Sequence, residues 1–273
     1  MLPVQNRNTL QPVAAPRTAP AGVNASRAAT PAPPGQPNKA YDGFLVGGDG
    51  NAYPPGTNIA DVPPTRPQGK QGQGTLIFVN GIGENRAGNK SHLQEIANGT
   101  GMNVVGLYNA TEGKLKDLIQ SMGDTFDLGT NKAVDSLADM VYEKVKAGEP
   151  LRLMAHSQGG LITSRALTDV KNRLMLEDGM SKAEAEQAMG KIGVETFGGA
   201  ASSYPDGPKY VHYVNRADLV PMGFGVGRPF SHPGKDAKVV KFGWPNPFGI
   251  FGNAHSTSTY FKHYQPFDGA ARA

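Results

Sequence analysis

Residues 151 to 160 read Leu-Arg-Leu-Met-Ala-His-Ser-Gln-Gly-Gly, an apolar run that stops at a serine and meets two glycines almost at once. Leu151, Leu153 and Ala155 alternate with Arg152, Met154 and His156, the period of a strand with at least one strongly apolar face. Past the glycines, Leu161, Ile162, Ala166 and Leu167 recur at helical spacing. A strand, a turn and a helix packed into so few residues bring the strand end and the helix start nearly into contact. The residues two before and two after the serine, Ala155 and Gly159, fall in that gap, and neither is large. The serine hydroxyl then stands at a helix N-terminus, where free N–H groups and the helix dipole favour developing negative charge. Ser157 is the candidate nucleophile; a serine that merely caps the helix is the plainer alternative.

The rest of the chain supplies a framework for this unit. Residues 75 to 79, Thr-Leu-Ile-Phe-Val, form a continuous β-favouring run of the kind found in a strand covered on both faces. Further strands are expected at 104–108, 191–196, 210–214 and 237–242. Helices are expected through Leu93 and Ile96, at 114–122, at 131–145, at 181–189 with a Ser181/Glu184 capping box, and from His255 to about Tyr264. Strands separated by helices in this rhythm predict an α/β domain with a mostly parallel central sheet and helices on both faces.

Residues 1 to 70 read differently. Thirteen of the 22 prolines fall there and apolar residues keep no period, so a disordered Pro/Ala-rich tail is expected, with the folded domain at 71–273. This segment holds six basic and three acidic residues, hence +3 of the net charge of +4. With the folded part nearly neutral and no aromatics interleaved among the cations, no nucleic-acid partner is expected. The tail has no apolar core of a secretory signal, and nothing in the chain approaches the roughly 20 apolar residues of a membrane span. The absence of cysteine excludes disulfides, thiol nucleophiles and thiolate metal sites.

Ala155-His156-Ser157-Gln158-Gly159 resembles the nucleophile elbow of the α/β-hydrolases, G-x-S-x-G, with alanine in the first position. In that superfamily the serine precedes an acid, which precedes a histidine, each on a loop at the carboxyl end of a strand. Here residues 210–214 are followed by Asn215-Arg216-Ala217-Asp218-Leu219-Val220-Pro221, similar to the acid loop of lipases, which makes Asp218 the candidate acid. Asp206 competes, although Tyr204-Pro205-Asp206-Gly207 is explained as a turn. Among six histidines, His255 fits best: His255-Ser256-Thr257-Ser258-Thr259-Tyr260 resembles the His-Ser-x-x-x-Tyr end of many lipases. His232 and His263 stay open; His92 breaks the order, His156 sits inside the elbow and His212 lies in a strand. The resemblance implies an oxyanion site built from the backbone N–H groups of Gln158 and of Ile82, which follows Asn80-Gly81 after the first strand.

The resemblance thus implies a serine hydrolase that cleaves carboxylic esters, a lipase or phospholipase above all, through a Ser157-His255-Asp218 triad and an acyl-enzyme, with no cofactor and no metal. Glycine-rich aromatic stretches at 222–227 and 242–251 either wall an apolar acyl pocket or act as a lid, or else pack over the sheet edge and the chain's last helix; a lipid substrate also implies peripheral contact with a membrane surface. A proline-rich tail without a secretory signal, joined to such a body, is similar to bacterial lipase effectors exported by dedicated secretion systems, with a secretion or inhibitor protein as partner. Two other readings compete. One is a hydrolase fold that binds without turnover. The other rests on residues 83–91, which approach the phosphate loop G-x-x-x-x-G-K-S but carry one extra residue, Asn89, before Lys90.

Overall fold

The apolar runs become strands, and every one of those expected between residues 75 and 242 is found. The computed structural model describes residues 30–31, 39–81, 86–109, 131–244 and 253–267. In chain order these form β1 (Thr30–Pro31), β2 (Leu45–Val46), β3 (Asn51–Tyr53), β4 (Thr75–Val79), α1 (Arg86–Thr100), β5 (Asn103–Leu107), α2 (Lys132–Lys146), β6 (Leu151–His156), α3 (Gln158–Leu176), α4 (Lys182–Ala188), β7 (Ile192–Phe197), β8 (Lys209–Asn215), α5 (Leu219–Gly223), β9 (Lys238–Phe242) and α6 (Thr257–Phe261). The described strands make one nine-stranded sheet in the order β1-β3-β2-β5-β4-β6-β7-β8-β9. From β5 to β9 every pairing is parallel, while β2 joins β5, and β3 joins both β2 and β1, antiparallel.

Because side chains alternate along a strand, the central strands feed two cores. Ile77, Val79, Leu153 and Val194 point to one face, where Leu137 and Val141 of α2 and Ile162, Leu167 and Val170 of α3 cover them. Leu76, Phe78, Met154 and Phe197 point to the other, covered by Leu93 and Ile96 of α1 and Tyr260 of α6. Strands buried on both sides explain the continuous, rather than alternating, apolar runs. Asn131 caps α2 by accepting from the backbone of Ala133 and Val134. At α4 the capping box is complete, with Ser181 N donating to Glu184 Oε2 at 2.7 Å and Glu184 N to Ser181 Oγ at 3.3 Å.

Two expectations need revision. The sheet reaches upstream of residue 71: Leu45, Val46 and Ala52 are buried, and Thr65 bridges to Val104 with backbone bonds of 2.8 Å in both directions. Strands of two and three residues carry no readable period. The prolines at 54, 55, 63 and 64 sit in the connection from β3 to β4, so the same composition that suggested a tail serves an irregular sheet edge. Residues 1–29 and the expected helix at 114–122 lie outside the described residues. The final helix is also shorter than expected: a 3₁₀ turn at Asn253–His255 precedes α6.

Among the described residues, no helix is long and apolar enough to cross a membrane. The near-match to a phosphate loop does not survive either. Gly88, Lys90 and Ser91 lie inside α1, which starts at Arg86, where a phosphate-cradling loop would have to be.

Candidate active site

Strand β6 ends at His156, and Ser157 swings the chain into α3 with φ 57° and ψ −124°. A residue other than glycine in this region stores on the order of 1–3 kcal/mol of strain, so the surroundings must hold it there. They do so through backbone. Ser157 N–H donates to Phe197 O at 3.1 Å, and Ser157 O accepts from Gly160 N at 3.0 Å and Ala200 N at 2.9 Å. The hydroxyl makes no capping bond, which removes the plainer explanation of this serine.

The expected crowding is present. A Cβ on Gly159 would stand 2.1 Å from Val79 O, and one on Gly160 2.8 Å from Gly199 Cα. A Cβ on Gly81, in the loop after β4, would stand 2.9 Å from Ser157 Cβ, so that loop presses directly on the serine. Gln158 opens α3, and its N–H, like those of any first helical turn, has no partner within the helix. Ile82, the second expected oxyanion donor, lies outside the described residues.

The candidate acid and the candidate base are brought together. Three residues past β8, Asp218 caps α5, its Oδ1 accepting from Val220 N at 3.0 Å. Its Oδ2 accepts from His255 Nδ1 at 2.6 Å and from the Tyr260 hydroxyl at 2.6 Å. A carboxylate can only accept, so His255 Nδ1 carries the proton and the Nε2 of the neutral ring is left as a base. That Nε2 is buried and, among the described residues, makes no hydrogen bond to Ser157 or to any other group. Serine–histidine bonds commonly tighten only when substrate is present.

Three further side chains, none of them assigned a role by the sequence, hold this arrangement. His156 Nε2 donates to the carbonyl of His255 at 2.8 Å, and the two rings lie 4.8 Å apart at 34°. Asn215 Nδ2 donates to Ala254 O at 2.9 Å, fixing the backbone one residue earlier. Past β5, Asn109 links its two neighbours: its N–H donates to Asn80 Oδ1 at 3.1 Å and its Nδ2 to Gln158 Oε1 at 2.7 Å. Thus three buried amides at the ends of β4, β5 and β6 tie together the loops that flank the serine. Only Tyr260 left a trace in the sequence, through its place in the His-Ser-x-x-x-Tyr stretch.

The rival candidates are engaged elsewhere. Asp206 pairs with His232 at 3.0 Å and accepts from Lys235 N, His263 stacks on Phe242 with ring centroids 3.9 Å apart, and His212 is buried between Thr196 Oγ1 and the carbonyl of Pro233.

Two of the buried histidines give the fold a pH dependence. Burial, reinforced by the nearby His255, lowers the His156 pKa to about 3, and burial lowers that of His212 to about 4. In the unfolded chain both take up protons near pH 6.5, so their contribution is complete above that pH and drains as pH falls toward 4. Glu195 acts oppositely. Its carboxyl is paired with Arg152 at 2.6 Å, yet burial lifts its pKa to about 7, so its contribution is present below about pH 4.5 and lost as pH rises through 7. Between pH 6.5 and 4.5 two protons oppose one. Urea unfolding across this window is expected to show stability falling by roughly 1 kcal/mol per pH unit; a flat or rising profile would refute the assignment of neutral buried histidines.

The sequence matches no protein-family model, and comparison with curated proteins finds no match. Solved structures offer distant likenesses. A mutant of the esterase E40 aligns with 64% of this chain and 69% of its own at 11% identity and a TM-score of 0.37. A dienelactone hydrolase from Anabaena variabilis aligns with 73% and 89% at 14% identity and a TM-score of 0.35. An alpha-beta serine hydrolase homologue from Coxiella burnetii aligns with 66% and 80% at 12% identity and a TM-score of 0.35. Likenesses this distant carry no weight beside the strand order, the antiparallel edge and the strained turn between β6 and α3, which are enough to say that this chain has the α/β-hydrolase fold.

Proposed function

We propose that this chain is a serine hydrolase acting on carboxylic esters, with Ser157 as nucleophile, His255 as general base and acid, and Asp218 as the group that orients and charges the imidazole. The observation that carries the reading is the pairing of a strained serine at a helix start with a histidine whose Nδ1 is fixed on a buried carboxylate and whose Nε2 is left as an unpartnered buried base. A histidine kept only for packing would have both nitrogens satisfied, as His212 has.

The chemistry follows from these positions. His255 Nε2 takes the Ser157 proton as Oγ bonds to the ester carbonyl carbon, and the carbonyl oxygen becomes an oxyanion at the start of α3, facing the Gln158 N–H. The ester C–O bond then breaks and His255 returns the proton to the departing alcohol. Water attacks the acyl-enzyme with the same histidine as base, which releases the acid and restores Ser157–OH.

Within esters, a lipid or phospholipid is the favoured substrate. Support comes from the aromatic, glycine-rich stretch at 242–251, whose described part ends in an exposed Trp244 just beyond β9, on the edge of the sheet that carries the catalytic groups. Delivery by a dedicated secretion route fits the composition of residues 1–38.

Full-length protein should be treated with a fluorophosphonate probe, the adduct located by mass spectrometry, and turnover measured on p-nitrophenyl esters of increasing chain length. An adduct on Ser157 with faster turnover of long chains supports a lipase. A folded protein that is neither labelled nor active on any ester refutes the hydrolase reading in favour of a binding protein.

A further inference from the structure

The Asp218 carboxylate receives two strong donors on one oxygen. His255 Nδ1 and the Tyr260 hydroxyl both approach Oδ2, each at 2.6 Å. Tyr260 is fully buried, its ring packed against Phe242 at 5.3 Å, Phe197 at 6.1 Å and His156 at 6.4 Å. The direction of its hydrogen bond is forced. Asn215 N–H donates to the same phenolic oxygen at 3.3 Å and occupies a lone pair, so the single hydroxyl proton goes to Asp218. The backbone closes on both oxygens: a Cβ on Gly198 would stand 2.9 Å from the Tyr260 oxygen and 2.9 Å from Asp218 Oδ2.

A carboxylate oxygen that already accepts from a buried phenol holds less negative charge for its second partner. We infer that Tyr260 is a positioning residue that sets, through Asp218 Oδ2, how tightly His255 holds its proton, an inference that rests on the serine-hydrolase reading above. With the phenol in place the imidazole is a weaker base than an Asp–His pair alone would make it. Burial and the adjoining carboxylate hold the phenol itself far above its ordinary range, so it remains a donor through neutral pH. Among the described residues, the His156 ring on β6, neutral through burial, lies against the His255 ring, and His92 on α1 bears on His156; His263, beyond α6, stacks on Phe242.

The test uses full-length wild type, Tyr260→Phe, and protein with 3-fluorotyrosine at position 260. Two quantities are followed against pH: kcat/KM on a p-nitrophenyl ester and the NMR titration of the His255 imidazole. In Tyr260→Phe both the acid limb of kcat/KM and the His255 titration should move to higher pH by about half a unit or more, because the carboxylate has lost a hydrogen bond that stabilised its charge. The more acidic fluorophenol should move both the other way, and it keeps the test open if the phenylalanine variant folds poorly. A lower rate with neither curve displaced would mean that Tyr260 only fills space, and overturns the inference. The two proposals fail separately: a wild type without label or turnover refutes the hydrolase, while the NMR titration of His255 still decides the role of Tyr260.

Discussion

Ser157→Ala is expected to reduce kcat on p-nitrophenyl esters by roughly five to six orders of magnitude, leaving only what the helix N-terminus and substrate binding supply without a nucleophile. The same change should abolish fluorophosphonate labelling. Stability should hardly move, within about 0.5 kcal/mol, because the hydroxyl makes no capping bond and alanine inherits the same backbone strain. That combination separates a chemical role from a structural one. Urea unfolding measured beside turnover checks it, and a variant retaining more than a hundredth of wild-type turnover would transfer the nucleophile to another residue.

The second large effect is expected at Asp218. Asp218→Asn keeps the size of the side chain and should still lower kcat/KM about ten-thousand-fold. The reason lies in the two oxygens. Oδ1 accepts from Val220 N, whereas Oδ2 accepts from His255 and Tyr260. An asparagine oriented to keep the Val220 bond presents its NH₂ to His255 Nδ1. The imidazole must then move its proton to Nε2 and can no longer accept from serine. Turned the other way, the NH₂ meets the Val220 N–H, two donors face to face in a buried site, at a cost of about 1–3 kcal/mol. The variant should therefore be slow, fold with somewhat reduced stability, and regain part of its rate at high pH. Rate profiles from pH 6 to 10 for both proteins check this. Near-wild-type activity at neutral pH would exclude Asp218 as the orienting acid.

The parts of this site that could be read from the chain are those written locally. A strand, a serine and two glycines within ten residues specify the elbow, because the close approach of α3 to Val79 forbids a side chain at position 159. Asp218 and His255 could be placed because each follows a strand-like run in the required order. What holds them could not. The bonds from Asn215 to Ala254, from His156 to the carbonyl of His255 and from Asn109 to Gln158 join residues 39, 99 and 49 positions apart, and an asparagine after a strand looks like any turn residue. His156 is instructive. Its place next to Ser157 argued against a role as base, and in the fold its ring steadies the backbone of His255, the candidate for that role. The edge strands β2 and β3 were hidden for a simpler reason, since two or three residues carry no period.

The turn at Ser157 carries a consequence for how such a molecule could change. On the three sides recorded by Gly81, Gly159 and Gly160, the serine and its turn are bounded by atoms of the backbone, or by positions where a single added methyl group would collide. Side chains, the ordinary means by which a protein is retuned residue by residue, are missing from those three positions. The Ser157 oxygen is thus held in a frame that point substitution can break but scarcely reshape. Any retuning by substitution would have to come from positions farther out that still carry side chains.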